Sequence, residues 1–346
     1  MHTAAPPVVP GCNGGPTVEY GRPTSPFGHV MTAMVTPFTP DGRALDLECA
    51  AGLATSLIDL GNDGLVVNGT TGEAPTTSDA EKAALIRTVV AAVGHRATVV
   101  AGVGTYDTEH SKRLARQAAA AGAHGILVVT PYYSRPPQYG LIAHFTAVAD
   151  ATELPVMLYD IPPRTAVAFE ADTLCTLAAH PRIIAIKDAR NDLHFCAEMI
   201  SRTGLHYYSG DDPLNLPFLA LGAVGFVSVI GHVAADRLRM MHDAFTDGDI
   251  EAARALHVAL FPLHRAMRRV GGAVFGKLAV GLSWRDVGTT RLPLPPPTGD
   301  QVAAVAADLA EAGVPFSTAQ FPRRPVAERR VPTNKASQTK QPVPIP

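Results

Sequence analysis

Lys187 ends an otherwise apolar run, Ile183-Ile184-Ala185-Ile186. A lysine in that position is partly desolvated, which favours the neutral amine and hence a nucleophile able to form a Schiff base. Taken alone, a strand-end lysine more often only lifts its ammonium to the surface. Tyr159, at the end of the neighbouring apolar run, turns the reading toward chemistry. A phenol facing an amine can move the protons that Schiff-base formation and breakdown require. Gly69-Thr70-Thr71-Gly72 adds two hydroxyls and backbone N–H groups freed by glycine, which suits a carboxylate held ahead of a helix. Small residues in an ordinary turn would read the same way. Arg164 could clamp a second carboxylate through two parallel hydrogen bonds; without the other residues, a surface ion pair is its default. Gly210 leads into Asp211-Asp212, which has no His or Glu partner at ligand spacing, so a helix cap ahead of Pro213–Ala220 is preferred to a metal site. Gly102-x-Gly104 lacks the third glycine and the downstream acid of a dinucleotide site. The 13 histidines are scattered and form no His-x-x-x-His pair with a general base.

The elements that must position these residues repeat along the chain. Apolar runs of strand length fall at His29–Val35, Gly64–Val67, Thr98–Gly102, Gly125–Thr130, Pro155–Tyr159, Ile183–Lys187, His206–Ser209 and Gly225–Ile230. They are rich in Val, Ile and Leu and mostly lack polar alternation, the pattern of parallel strands buried on both faces. Ala-rich amphipathic stretches lie between them, including Leu47–Leu60, Asp79–Val93, Thr108–Ala121 and Asp192–Thr203, with Asp46, Ser78, Asp107 and Asn191 as N-caps. Eight near-equal strand–helix units with no clear switch point predict a (β/α)8 TIM barrel rather than a doubly wound open sheet. Further helical pattern at Asp249–Arg269, Gly272–Leu282 and Asp300–Ala312 exceeds what closure needs and predicts a small C-terminal helical subdomain. The expected organisation is a disordered N-terminal tail over 1–26, the barrel over 27–245, the helical subdomain over 246–317 and a disordered C-terminal tail over 318–346. A barrel's working face is at the C-terminal ends of its strands. That face gathers Gly69–Glu73, Thr130–Tyr133, Tyr159-Asp160 with Arg164, Lys187-Asp188 and Gly210–Asp212.

Composition narrows the function classes. The chain has 346 residues, 47% hydrophobic and 17% charged, enough for a large core. A net charge of −2 favours neither nucleic acid nor an anionic membrane as partner. No apolar run is long enough to span a bilayer, and the N-terminus has neither the basic nor the apolar region of a signal peptide. Cys12, Cys49, Cys175 and Cys196 are irregularly spaced, suggesting neither a zinc site nor a disulfide framework, and they fit a reducing cytoplasm. The sequon Asn68-Gly69-Thr70 is then a chance match.

Thr36-Pro37-Phe38, Gly69-Thr70-Thr71-Gly72-Glu73, Thr130-Pro131-Tyr132-Tyr133, Tyr159-Asp160-Ile161-Pro162-Pro163-Arg164, Ile186-Lys187-Asp188 and Ser209-Gly210-Asp211-Asp212 occur here in order. In that order and spacing the chain resembles the dihydrodipicolinate synthase/N-acetylneuraminate lyase family over roughly residues 28–315. It is most similar to the bacterial branch that condenses pyruvate with L-aspartate 4-semialdehyde on the route to diaminopimelate and lysine. The resemblance implies that Lys187 forms the Schiff base with pyruvate. It implies a proton relay of Thr70, Tyr133 and Tyr159, with Tyr133 reaching into a neighbouring subunit's site. Thr71 would hold the pyruvate carboxylate, Arg164 the carboxylate of the semialdehyde, and the Val227 carbonyl and Gly210 would sit beside the site. It further implies a homotetramer built as a dimer of dimers, with no metal or organic cofactor.

Some positions depart from the family pattern. Ala74 follows Glu73 where serine is usual, and Thr165-Ala166 follow Arg164 where glycine commonly completes the motif. The positions matching the family's lysine-regulatory pocket hold Asp79, Lys82, Tyr106 and His110; a cationic ligand would meet Lys82, so weak or absent inhibition by lysine is expected. A paralogous pyruvate-dependent class I aldolase acting on another aldehyde is the alternative reading. A non-enzymatic sensor of 2-oxo acids is a third, disfavoured because a sensor has no need of a proton relay.

Overall fold

The computed structural model describes Cys12 and residues 25–316. The C-terminal tail, and the N-terminal tail apart from Cys12, Ser25 and Pro26, lie outside the described residues. Eight strands form a closed barrel in sequence order: β1 (Val30–Ala33), β2 (Gly64–Val67), β3 (Thr98–Gly102), β4 (Gly125–Val129), β5 (Val156–Asp160), β6 (Ile183–Asp188), β7 (His206–Ser209) and β8 (Gly225–Ser228). Every pair is parallel, and β1 closes on β8. The barrel is therefore the predicted one.

Helices α1 (Leu47–Asp59), α2 (Asp79–Val93), α3 (Thr108–Ala120) and α4 (Gln138–Asp150) follow β1 to β4. Two short helices, α5 (Pro162–Thr165) and α6 (Ala171–Ala178), follow β5; α7 (Leu193–Thr203), α8 (Asn215–Leu221) and α9 (Gly231–Thr246) follow the last three strands. Asp46, Ser78 and Asp107 cap their helices as expected, Ser78 in a reciprocal capping box with Glu81. At α7 the cap is Asp192, which accepts from the Phe195 N–H, and not Asn191, which has φ 65°.

Beyond the barrel come α10 (Ile250–Ala259), α11 (Phe261–Val270), α12 (Gly272–Ser283) and α13 (Gly299–Glu311). The expected continuous helix over 249–269 is broken at Leu260 because Pro262 cannot donate to the preceding turn. These helices share one apolar core with the barrel: Leu263, Phe275 and Leu309 cluster with Val30 of β1 and Phe226 of β8. The barrel interior holds a separate cluster, including Phe27, Met31, Val66, Val100, Met157 and Tyr208. The alternate strand residues pack outward against the helices.

Cys12 and Cys175 form a disulfide with Cα atoms 5.4 Å apart, against the expectation of four free thiols. The pairing depends on where a remote segment meets α6, which spacing does not reveal. Cys49 and Cys196 are buried and free. No described helix is long and apolar enough to cross a membrane.

Candidate active site

Tyr159 and Lys187 face each other because β5 and β6 pair in a register that matches them. Both point into the barrel, where Met157 and Ala185 form the apolar layer next to them. Lys187 is 5% exposed, and its Nζ lies 4.4 Å from the centroid of the Tyr159 ring. Gly210 explains how the lysine stem fits. A Cβ there would lie 3.0 Å from Lys187 Cε, and the bare Gly210 backbone donates its N–H to the Asp188 carbonyl at 2.7 Å. Val227 lies in β8 in register with Met31, buried in the same interior cluster as Tyr159.

A cavity of about 450 Å³ opens above this layer, lined in part by Thr70, Tyr132, Tyr159, Ile161, Arg164 and Thr165. It continues toward Asp79, Lys82, Tyr106 and His110. Thr71 and Lys187 are buried and do not line it; Tyr159 bridges Lys187 to the open space. Arg164 is exposed on α5, where its backbone N–H bonds the Ile161 carbonyl at 2.9 Å, and its guanidinium makes no ion pair or hydrogen bond with the described residues. The turn that carries it is fixed by Thr165, whose hydroxyl bonds Thr130, Ile161 and Val167. Ala166 closes the turn with φ 58°, a strained value for alanine where the family commonly has glycine. Tyr133 stands apart. It has φ 73°, is 94% exposed, and does not line its own chain's cavity. The structure thus brings Lys187, Tyr159, Thr70 and Arg164 together, and leaves Tyr133 pointing away.

The Gly69–Gly72 loop is held from several sides. Thr36 donates its hydroxyl to the Gly72 carbonyl at 2.6 Å. Asn68 is buried, and its amide donates to the Lys82 carbonyl, so the sequon is not accessible. Asp212 does not cap its own helix. Its carboxylate accepts from Ser228 Oγ at 2.5 Å, from the N–H groups of Val229 and Ile230 at 2.8 and 3.0 Å, and from Asn215. It is a clamp on the end of β8, and the described residues contain no group of three potential metal ligands. His232, dismissed with the scattered histidines, is fully enclosed: Nε2 accepts the Val35 N–H at 3.0 Å and Nδ1 donates to the Val229 carbonyl. Burial holds it down to about 4, so the neutral tautomer persists.

Asp160 and Asp188 were grouped by sequence with the catalytic face. Strand alternation instead turns them to the opposite face from Tyr159 and Lys187. Burial, and then the neighbouring Asp188, push Asp160 up to about 7; burial pushes Asp188 up to about 6. Arg190 reaches Asp160 at 3.5 Å. The signal was available in the parity of the two strands.

The sequence model of the Dihydrodipicolinate synthetase family matches residues 26–312. A protein of Mycolicibacterium gilvum named 4-hydroxy-tetrahydrodipicolinate synthase is 61% identical over 83% of this chain and 95% of its own length. Its namesake from Mycolicibacterium paratuberculosis is 58% identical over 86% of this chain and 99% of its own length. Among solved structures, the DHDPS from Cyanidioschyzon merolae with lysine bound superposes with a TM-score of 0.82 at 37% identity, covering 84% of this chain and 99% of that one. A dihydrodipicolinate synthase from Bacillus anthracis gives 0.80 at 39% identity, with the same coverage. Together with a barrel whose working face carries Lys187, Tyr159 and Arg164, these matches establish that the chain belongs to the Dihydrodipicolinate synthetase family.

Proposed function

We propose that this chain is the lyase that condenses pyruvate with L-aspartate 4-semialdehyde to give 4-hydroxy-tetrahydrodipicolinate, in the diaminopimelate route to lysine. The observation that carries the reading is Lys187 Nζ, buried in the barrel and set against the Tyr159 ring, beneath a cavity that opens to an unpaired Arg164. Lys187 adds to C2 of pyruvate, and water leaves to form the imine. Loss of a proton from C3 gives the enamine, which attacks the aldehyde carbon and leaves a hydroxyl there. The amine of the added semialdehyde then attacks the imine carbon, closing the ring and expelling Lys187. One water is released overall, and the imine itself is the electron sink, so the scheme calls for no metal or organic cofactor.

Tyr159 moves protons at the imine, with Thr70 at the cavity wall as its link. Thr71 and the loop backbone hold the pyruvate carboxylate. Gly210 and Val227 shape the floor, and Arg164 binds the carboxylate of the aldehyde. An exposed tyrosine held at positive φ serves its own chain in no visible way. We assign Tyr133 to the site of an adjacent copy, within a homotetramer built as a dimer of dimers; sedimentation as a monomer at assay concentration would refute this. The same reading takes 27–245 as the catalytic barrel and 246–317 as a helical subdomain. It also takes the cytoplasm as the compartment; fractionation to another compartment would overturn that.

Borohydride reduction in the presence of pyruvate tests the chemistry. The expected result is a pyruvate-derived mass increment on Lys187 that is lost in Lys187→Ala. No adduct, or an adduct that survives the substitution, refutes the mechanism. Turnover with a panel of aldehydes tests the second substrate, since a paralogous aldolase would prefer another member of the panel.

A further inference from the structure

Glu73 closes the Gly69–Gly72 loop with φ 57° and ψ 38°, a conformation that glycine adopts freely and L side chains rarely do. Its side chain accounts for the choice. It is 1% exposed, with Oε1 2.9 Å from Lys277 Nζ and Oε2 accepting the Arg291 N–H at 2.7 Å. Lys277, on α12, is also buried; it donates to the Thr289 carbonyl at 2.9 Å and lies 3.9 Å from the centroid of the Phe38 ring. Arg291 stacks on the same ring at 4.0 Å. It also binds the Thr76 carbonyl, just past the loop, and the Glu81 carboxylate at the start of α2.

Helix α12 brackets the loop at its other end as well. A Cβ on Gly272, the first residue of the helix, would stand 3.9 Å from Thr71 Oγ1. One on Gly276 would fall 2.7 Å from the Val35 side chain, so helix and strand end touch backbone to side chain. The helix therefore meets the loop at Thr71, the end of β1 at Val35, and Glu73 through a buried ion pair. Desolvation lowers Lys277 to about 8 even with Glu73 beside it, as expected of a cation that has no water to turn to.

We propose that Glu73 and Lys277 are positioning residues that set Thr71 and the loop backbone for the pyruvate carboxylate, so that α12 governs pyruvate binding without touching pyruvate. The proposal rests on the reading of the Gly69–Gly72 loop as the carboxylate site. A pair that only stabilised the fold would change the melting temperature and leave pyruvate saturation alone. A positioning pair changes saturation in the folded protein.

The test uses the full chain and three variants: Glu73→Gln, Glu73→Gly and the double variant Glu73→Gln/Lys277→Met. The readouts are the pyruvate concentration giving half-maximal borohydride-trapped adduct, KM and kcat for both substrates, and the melting temperature. Glu73→Gly relieves the backbone and removes the pair. If the side chain were idle, this variant would melt higher and bind pyruvate normally. The expected result is at least a tenfold rise in pyruvate half-saturation in every variant, with kcat at saturating pyruvate within about threefold and the aldehyde KM unchanged. The double variant leaves no unpaired buried charge, so it should melt near the wild type yet keep the raised pyruvate half-saturation. Half-saturation within twofold of wild type in the folded double variant overturns the positioning role. Absence of any adduct in the wild-type chain overturns instead the reading of the site on which the proposal rests.

Discussion

Replacing Asp160 by asparagine is expected to stabilise the protein above pH 7 and to leave its stability near pH 4 unchanged. Asp160 and Asp188 end neighbouring strands in register, and both are buried. Among the described residues, Arg190 is the one cation that reaches Asp160, at 3.5 Å, and it is shared with Asp192 at 4.0 Å. Cys196 and Tyr207 complete the buried surroundings, and burial pushes both of their ionisations upward. One guanidinium cannot neutralise two desolvated carboxylates, so the pair retains a proton. A carboxyl carried from 3.8 to about 7 prefers its protonated form by roughly 4 kcal/mol. Between about pH 4 and 7 the folded chain then holds a proton that the unfolded chain has already released. Stability falls as pH rises through that window, and the penalty is complete above it. The asparagine amide carries no charge at any pH, so the penalty of ionising this buried site goes with the carboxyl. Asp188 stays buried with a penalty of its own, and the amide is itself a buried polar group, so the gain should be about 1–3 kcal/mol above pH 8.

The assay is denaturant unfolding of wild type and Asp160→Asn at fixed protein concentration, at intervals from pH 4 to pH 9. Holding the concentration fixed matters because assembly adds to apparent stability. The difference between the two curves should start near zero, climb between about pH 4 and 7 and then level off. Activity should persist, because the Tyr159 and Lys187 side chains lie on the other face of the same strands. A difference curve that is flat, or that falls as pH rises, would refute the account of a proton retained on Asp160.

Arg164→Ala should raise the aldehyde KM by about 10- to 100-fold, the value of a lost charge-assisted contact, while adduct formation with pyruvate alone stays unchanged. An equal loss in the pyruvate-only reaction would place Arg164 at the wrong substrate. Millimolar L-lysine should leave steady-state turnover essentially unaltered. Asp79 is engaged by His110 at 2.9 Å, and Lys82 is buried with its ammonium on the Thr77 carbonyl. Half-inhibition at micromolar lysine would sink this expectation.

The parts of the fold legible in the sequence are those set by local pattern. Strands β2, β3 and β7 match their apolar runs residue for residue, because both faces of each are covered. The runs at β1 and β8 overshoot for a physical reason. The Val35 N–H leaves the ladder for His232, 197 residues away, and the N–H groups of Val229 and Ile230 go to the Asp212 carboxylate. Buried N–H groups must be satisfied, and which remote side chain does so is invisible to apolar periodicity. The same division holds at the site. Lys187, Tyr159, Thr70 and Arg164 announce themselves as polar residues at strand ends. Lys277 reads as one cation in a helical stretch, and Arg291 meets Glu73 across 218 residues. Their roles exist only once the chain has closed.

These buried polar groups also fix how stability should vary with pH. Burial holds His144 and His232 down to about 4 and lowers His206, His242, His257 and His264 as well. Below about 6.5 the unfolded chain takes up protons on these rings and the folded chain does not, so stability falls as pH drops from there. Asp160 and Asp188 act in the opposite sense, but they are two against six, and Asp188 is already half titrated at about 6. At about 6.5 the unfolded rings are still half protonated, and they go on releasing protons over the range in which Asp160 loses its own. The wild-type curve should therefore rise from the acid side and level off as the opposing trends meet between about pH 6.5 and 8. In Asp160→Asn the acid limb should remain and the rise through about pH 7 should be steeper. A wild-type maximum below about pH 5 would mean that the histidines are not enclosed as neutral rings. The clamp of His232 on Val35, which needs an unprotonated Nε2, would fall with that result.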